Sequence, residues 1–225
     1  MKRDAAETAA NVLVSDFDGT MTRRDFYQLA IRQLLPPDVP DHWAEYRRGE
    51  ISHFEALRRY FAAIRADRRS VLAVVAQMQL DAAAADSLRR LRQAGWDVVV
   101  ASAGCRWYID QLLREAGIEL TVHANPGSLV EGRGVLMQLP TDSPFFCPHV
   151  GIDKAAIVRH HQGLGQRVAF AGDGFPDLEA ALLVPPPLRW ARSDLAESLR
   201  RRGEAFRPFD CWSQIGERLL GECEK

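Results

Sequence analysis

The apolar positions change period along the chain. Residues 12–16, "VLVSD", form a short β-branched run ending in an acid, the pattern of a strand buried on both faces. From Arg23 to about Met78 the spacing becomes helical, in "RDFYQLAIRQLL", "DHWAEYRRG", "SHFEALRRYFAAIRAD" and "SVLAVVAQM". Pro36-Pro37 and Pro40 separate the first two of these segments, and Ser52 and Ser70 are expected N-caps. Strand and helix patterns then alternate. "AAADSLRRLRQAG" and "CRWYIDQLLREAG" read as helices closed by Gly95 and Gly117. "WDVVVAS", "IELTVHAN", "RVAFAGD" and the short "LRWA" read as strands, and "SLVEGRGVLMQL" as a hairpin about Gly132 and Gly134. "DKAAIVRHHQ", "FPDLEAALL", "LAESLRRR" and "CWSQIGERLL" read as further helices.

This alternation predicts an α/β fold, a parallel sheet with helices on both faces. The helical block interrupts it after the first strand and reads as an inserted domain. The expected division is a core of residues 1–22 and 81–225 and an all-helical cap of residues 23–80. At about 150 residues per domain, 225 residues allow one domain with such an insertion. The net charge of −1 gives no global attraction to nucleic acid or to a membrane surface. No apolar run approaches the roughly 18 residues of a membrane span. "MKRDAAETAANVLV" lacks the apolar core of a signal peptide, so a cytoplasmic location is expected. Cys105, Cys147, Cys211 and Cys223 form no CxxC pair, which disfavours structural zinc. Cys147-Pro148-His149 reads as an ordinary loop or as half of a metal site, the loop being the simpler reading.

In an open parallel sheet, ligands bind beyond the carboxyl ends of the strands. Here those ends carry chemistry. The first strand runs into Asp16-Phe17-Asp18, the second into Ser102-Ala103-Gly104, and "RVAFAG" into Asp173, with Asp177 four residues later. Lys154 opens the helix before that last strand; the other lysines, Lys2 and Lys225, lie at the chain ends. Carboxylates gathered at one crevice repel and raise one another's pKa unless a cation joins them. Mg²⁺ suits oxygen ligands and leaves room for phosphate oxygens, while a lysine, a hydroxyl and backbone N–H groups suit the phosphate.

The ordered set "DFDGT", "VVVASAG", "DKAAI" and "GDGFPD" resembles the four motifs of the haloacid dehalogenase superfamily, phosphatase branch, over residues 12–182. The insertion resembles the helical cap of its phosphoserine-phosphatase-like subgroup. "DFDGTMTRRD" and the cap length look most like the methionine-salvage enolphosphatases acting on 2-hydroxy-3-keto-5-methylthiopentenyl-1-phosphate. The resemblance implies a Rossmann-like core and Mg²⁺-dependent hydrolysis of a small phosphorylated metabolite. It implies Asp16 as nucleophile, forming an aspartyl-phosphate, and Asp18 as general acid and base. It implies Ser102, Ala103, Gly104 and Lys154 around the phosphate, and Asp16, the Asp18 carbonyl, Asp173 and Asp177 about the metal. Asp25 stands where phosphoserine phosphatases carry a glutamate that reads an amino group. Arg58 and Arg59 are candidate substrate contacts in the cap, as are Arg47 and Arg48. Pro176 replaces an asparagine common among relatives, beside Asp177. Dehalogenases lack the second acid, phosphonoacetaldehyde hydrolases need a cap lysine that residues 23–80 do not contain, and ion pumps need membrane spans. A phosphomutase is excluded only by the cap. A phosphoserine phosphatase and a catalytically silent phospho-ligand binder remain as alternatives. Phosphocholine-like and pyridoxal-type phosphates remain open as substrates.

Overall fold

The apolar run at residues 12–15 becomes β1 (Asn11–Ser15), the centre of a six-stranded sheet in the computed structural model, which describes residues 9–221. Lys2, Lys225, Cys223 and the first residues read above for a signal peptide lie outside that range. Four helices follow β1: α1 (Phe26–Gln33), α2 (His42–Arg47), α3 (His53–Ala62) and α4 (Arg68–Ala76). Next come α5 (Ala84–Gln93), β2 (Trp96–Cys105), α6 (Arg106–Glu115) and β3 (Thr121–Asn125). A hairpin of β4 (Gly127–Val130) and β5 (Gly134–Met137) precedes a small antiparallel pair, β6 (Phe146–Cys147) and β7 (Gly151–Ile152). The chain ends with α7 (Lys154–Gly163), β8 (Arg167–Gly172), α8 (Leu178–Leu182), β9 (Arg189–Ala191), α9 (Ser193–Arg201), β10 (Arg207–Pro208) and α10 (Ser213–Gly221).

The sheet order is β10-β9-β8-β1-β2-β3, and every pair is parallel. The chain winds outward from β1 to β3 and then restarts at β8 on the other side of β1. The carboxyl ends of β1 and β8 therefore flank the crevice at which strand order reverses, where α/β proteins bind ligands.

The strands are apolar on both faces because both faces are covered. Leu13, Val98, Val100, Ala169 and Ala171 enter one core layer, with side chains of α5, α6 and α10. Val12, Val14, Val99, Ala101, Val168 and Phe170 enter the other, with α7, α8 and α9. The period of two thus sorts alternate residues into two layers. The first layer continues through Phe17, Met21, Phe26 and Phe61 into the helices between β1 and β2. The two chain crossings to those helices run side by side. Thr22 bridges Leu80, the Asp81 N–H donates to the Met21 carbonyl (3.0 Å), and the Arg24 N–H donates to that of Met78 (3.0 Å).

Local differences from the sequence reading have local causes. Ser52 caps α3 as expected, but α4 starts earlier than expected: Asp67 accepts from the Ser70 N–H at 2.7 Å, so Ser70 lies inside the first turn. Asp is as good a cap as Ser and comes first in the chain. "FPDLEAALL" begins as a 3₁₀ turn over Phe175–Asp177 before α8, with Pro176 in the first turn, where no N–H is needed. β2 does not stop at Ser102 but runs on to Cys105, with an irregular register against β3 after Ala101. β3 starts at Thr121, three residues later than "IELTVHAN" suggested. The two-residue strands β6, β7 and β10 carry no pattern long enough to predict. Among the described residues, no helix is long and apolar enough to cross a membrane.

Candidate active site

Four loops meet at the carboxyl ends of β1, β2 and β8. Asp16 follows the last residue of β1 and is anchored by its own N–H, which donates to the Ala171 carbonyl of β8 at 2.8 Å. Its side chain is 7% exposed. Oδ1 accepts from Lys154 Nζ at 2.6 Å and Oδ2 from the Thr20 hydroxyl at 3.2 Å. Lys154 is the first residue of α7, a helix capped by Asp153, and its ammonium also reaches Asp177 Oδ1 at 2.5 Å. The buried lysine therefore lies between two carboxylates. Their charges raise its pKa despite burial, so it stays protonated. Asp16 shows the opposite balance: burial raises its pKa to about 7 although Lys154 opposes the shift.

Asp177 braces the turn after β8. Its Oδ2 accepts the N–H groups of Asp173 (3.0 Å) and Gly174 (2.9 Å). This holds Asp173 toward β1, and Gly19 makes the approach possible. A Cβ at residue 19 would lie 2.3 Å from Asp173 Oδ2, and the φ of +69° there suits glycine. Asp16, Asp173 and Asp177 each bring one carboxylate oxygen within 4.8 Å of the others. An oxygen-only donor set of this kind suits a hard divalent cation. Asp177 accepts three hydrogen bonds and Asp16 two, so Asp16 and Asp173 keep the more lone pairs for a cation. Burial and the neighbouring acids hold the Asp173 pKa well above the usual carboxylate range, a repulsion that a cation relieves.

Asp18 lies on the same cavity but is turned away from that triad. Its Oδ1 accepts the Phe26 N–H at the start of α1 (3.2 Å). Its Oδ2 accepts the Tyr108 hydroxyl (2.9 Å) and, more distantly, that of Ser102 (3.4 Å). Burial raises its pKa, and these donors oppose the shift. The Ser102 hydroxyl also accepts the Gly104 N–H at 2.9 Å, which fixes the turn at residues 102–104.

These residues line a cavity of about 350 Å³. Ala103 and Gly104 form part of its floor, while the helices between β1 and β2 supply Tyr27, Trp43, Tyr46, Arg47, His53 and Phe61 to its wall. Phe175 stands at its mouth, 62% exposed. Asp25 lines the cavity too, but one of its oxygens is committed: it caps α1 by accepting the Tyr27 N–H at 2.8 Å. Burial and the nearby Asp18 and Asp173 push its pKa well up. Arg58 and Arg59 do not reach the cavity. Arg58 pairs with Glu55 (2.7 Å), and Arg59 with Glu55 (2.8 Å) and Glu45 (3.0 Å), on the outer side of α3. Arg48 pairs with Glu50 at 2.6 Å, and of the four arginines named from the sequence Arg47 is the one that lines the wall. Cys147 and His149 bring no ligand cluster together among the described residues. His149 instead gives its carbonyl to the Phe54 N–H at 2.9 Å.

Several wall residues were not singled out from the sequence. Tyr27, Trp43 and Tyr46 read as helix-face aromatics. Tyr108 reads as one more core position in the apolar stripe of α6. The Tyr108 ring packs against Phe26 and Phe61 while its hydroxyl meets Asp18, and sequence spacing reports only the ring.

The chain is 23% identical over 203 residues to a 2-hydroxy-3-keto-5-methylthiopentenyl-1-phosphate phosphatase of Brevibacillus brevis, covering 88% of this chain and 91% of the relative. Among solved structures, a substrate-bound phosphoserine phosphatase superposes with a TM-score of 0.65 at 14% identity, covering 96% of this chain and 99% of that one. A phospho-aspartyl intermediate analogue of phosphoserine phosphatase superposes with a TM-score of 0.60 at 16% identity, covering 89% and 93%. Residues 13–182 match the family described as haloacid dehalogenase-like hydrolase. That stretch runs from β1 through α8 and holds Asp16, Asp18, Ser102, Lys154, Asp173 and Asp177, so the chain belongs to the haloacid dehalogenase-like hydrolases.

Proposed function

We propose that this protein is a Mg²⁺-dependent phosphatase that hydrolyses a small phosphomonoester through an aspartyl-phosphate on Asp16. The observation that carries this reading is the division of labour between two carboxylates two residues apart. Asp16 faces the lysine and the acidic triad, while Asp18 is held by unrelated donors across the same cavity. One can then attack phosphorus while the other serves the departing oxygen.

Asp16 and Asp173 would hold the metal, with Asp177 behind them. When bound, Mg²⁺ would neutralise the carboxylates and draw negative charge from the phosphoryl oxygens. In the first half-reaction an Asp16 oxygen bonds to phosphorus, the phosphorus–oxygen bond to the alcohol breaks, and Asp18 gives its proton to that oxygen. In the second, water attacks the same phosphorus, passes a proton to Asp18, and Asp16 is released as a carboxylate. Lys154 stays protonated throughout and, with the Ser102 hydroxyl and the N–H groups of residues 103–104, steadies the charge of the transferring group.

A cavity of about 350 Å³ suits a small metabolite, and the ring-bearing wall suits a leaving group with some apolar surface. Both features agree with the substrate named for the Brevibacillus brevis relative. A phosphoserine phosphatase is the second reading. It is favoured by Asp25, whose free oxygen faces the cavity and could meet an amino group. The cytoplasmic location expected from the sequence completes the proposal.

The test is turnover of p-nitrophenyl phosphate and of a panel of phosphorylated metabolites by pure protein. EDTA should abolish turnover and Mg²⁺ restore it, and mass spectrometry should find a phosphorylated peptide containing Asp16. Asp16→Asn should remove both turnover and adduct. Full activity in EDTA, or an adduct in Asp16→Asn, would sink the mechanism. No turnover of any ester with Mg²⁺ would leave a silent phospho-ligand binder.

A further inference from the structure

Tyr108 occupies a position that core packing alone does not explain. It is 1% exposed, and its ring packs against Phe26 (centroids 4.6 Å apart) and Phe61 (6.2 Å). A phenylalanine would fill that space without a polar atom to satisfy. The hydroxyl instead reaches Asp18 Oδ2 at 2.9 Å, across 90 residues of sequence.

The backbone opposite is shaped around this contact. A Cβ at Gly104 would stand 1.9 Å from the Tyr108 oxygen and 2.8 Å from Asp18 Oδ2. Gly104 is not among the glycines with positive φ, so the backbone there does not demand glycine. Space for the phenol and the carboxylate demands it. The Phe26 N–H holds only Oδ1 of Asp18, which leaves the carboxyl plane free to turn about that bond. The phenol, at 2.9 Å, is the nearer of the two donors on the second oxygen; the Ser102 hydroxyl stands at 3.4 Å.

We propose that Tyr108 is a positioning residue for the proton transfers of Asp18, holding its carboxyl group in the plane from which it meets the leaving oxygen and the attacking water. The inference rests on the phosphatase reading above. A phenol suits both halves of the cycle. It donates to one lone pair of Oδ2 whether Asp18 is carboxylate or carboxylic acid, and the acid's own proton stays free for the leaving oxygen. Burial and the Asp18 charge keep the phenol itself protonated, so it acts through Asp18 and not in its place. Because Phe26 lies on α1 and Phe61 on α3, the ring also ties the orientation of Asp18 to the seating of those helices.

The test is kcat/KM for a series of phosphomonoesters running from p-nitrophenyl phosphate to simple alkyl phosphates, at saturating Mg²⁺. Tyr108→Phe should lose about tenfold to a hundredfold on alkyl esters, the worth of a hydrogen bond to a charged group. It should stay within about threefold of wild type on p-nitrophenyl phosphate, whose leaving group needs no proton. In an Asp18→Asn background the same change should cost less than about twofold, since the group it acts through is gone. If Tyr108→Phe does not stay folded at the assay temperature, 4-aminophenylalanine at residue 108 supplies the second test. It keeps the ring and an N–H donor and should retain the wild-type alkyl-to-aryl ratio. Equal losses on both ester classes, additive losses with Asp18→Asn, or a 4-aminophenylalanine variant without the wild-type ratio would overturn the inference while leaving the phosphatase reading intact. A wild-type protein that turns over no ester would overturn both.

Discussion

Lys154→Met removes the ammonium and keeps an unbranched, largely apolar stem. The ammonium lies 2.6 Å from Asp16 Oδ1 and 2.5 Å from Asp177 Oδ1, all three side chains being at least nine-tenths buried. Its loss leaves two buried carboxylates facing each other, with Asp173 nearby. Breaking a buried ion pair by deleting one partner costs about 3–5 kcal/mol. For a chain of this size each kcal/mol moves Tm by about 2–4 °C, so metal-free Lys154→Met should melt about 6–20 °C below wild type. The gap should narrow with Mg²⁺, which brings positive charge to the same carboxylates. It should also narrow as pH falls toward 5. Lys154 lowers the Asp16 pKa, so without it the carboxylate takes up a proton more readily. The second consequence is catalytic: losing a preorganised donor to the transferring phosphoryl group costs about 10² to 10³ in kcat. Calorimetry in EDTA and in Mg²⁺ at two pH values, with p-nitrophenyl phosphate turnover, measures all of this. A variant melting within about 2 °C of wild type in EDTA at neutral pH would refute the account of the buried lysine.

Three other predictions follow from the same geometry. Asp16 has a folded-state pKa of about 7 against an ordinary 3.8, so between those values the folded chain holds the extra proton; its contribution to stability is fully present below about 4 and lost as pH rises through 7. Asp18, Asp25 and Asp173 are raised as well and act in the same direction. Burial lowers the pKa of His53 and His123, which opposes this trend below about pH 6.5. Urea unfolding in EDTA should therefore show stability falling from about pH 6.5 to 8, and a rise there would contradict it. Gly19→Ala places a methyl group 2.3 Å from Asp173 Oδ2 at a φ of +69°. It should cost roughly 1–2 kcal/mol of strain and raise the Mg²⁺ concentration needed for half-maximal turnover, a shift read directly from a metal titration. Arg58→Ala and Arg59→Ala should leave the ranking of metabolites within about threefold, while Arg47→Ala or Trp43→Leu should reorder it. A reordering by either of the first two variants would mean the helices adopt another arrangement over the cavity.

Much of the fold was legible in the sequence because it rests on local signals. A buried parallel strand needs a continuous apolar run, and "VLVS", "WDVVV" and "RVAFAG" each carry one. Helices at 84–93 and 106–115 end before Gly95 and Gly117, which take φ values of +78° and +65°. A parallel sheet also dictates which chain ends meet, so Asp16, Ser102 and Asp173 could be brought to one crevice from strand order alone. Direction of side chains was not local. Arg58 and Arg59 look no different from Arg47 in the sequence. Glu45 and Glu55 draw them to the outer side of α3 because those acids lie one helical turn away or on the adjacent helix. Asp25 could read a substrate amine or cap a helix, and the proximity of the Tyr27 N–H commits one of its oxygens. Tyr108 belongs to an ordinary apolar stripe until the fold brings α6 beside the segment that follows β1. Only then does its hydroxyl meet a carboxylate 90 residues away, through a gap that a single missing Cβ at Gly104 leaves open. Periodicity fixes which face of an element is buried; what the polar tip of a buried side chain touches is settled by the neighbours that tertiary packing brings to it.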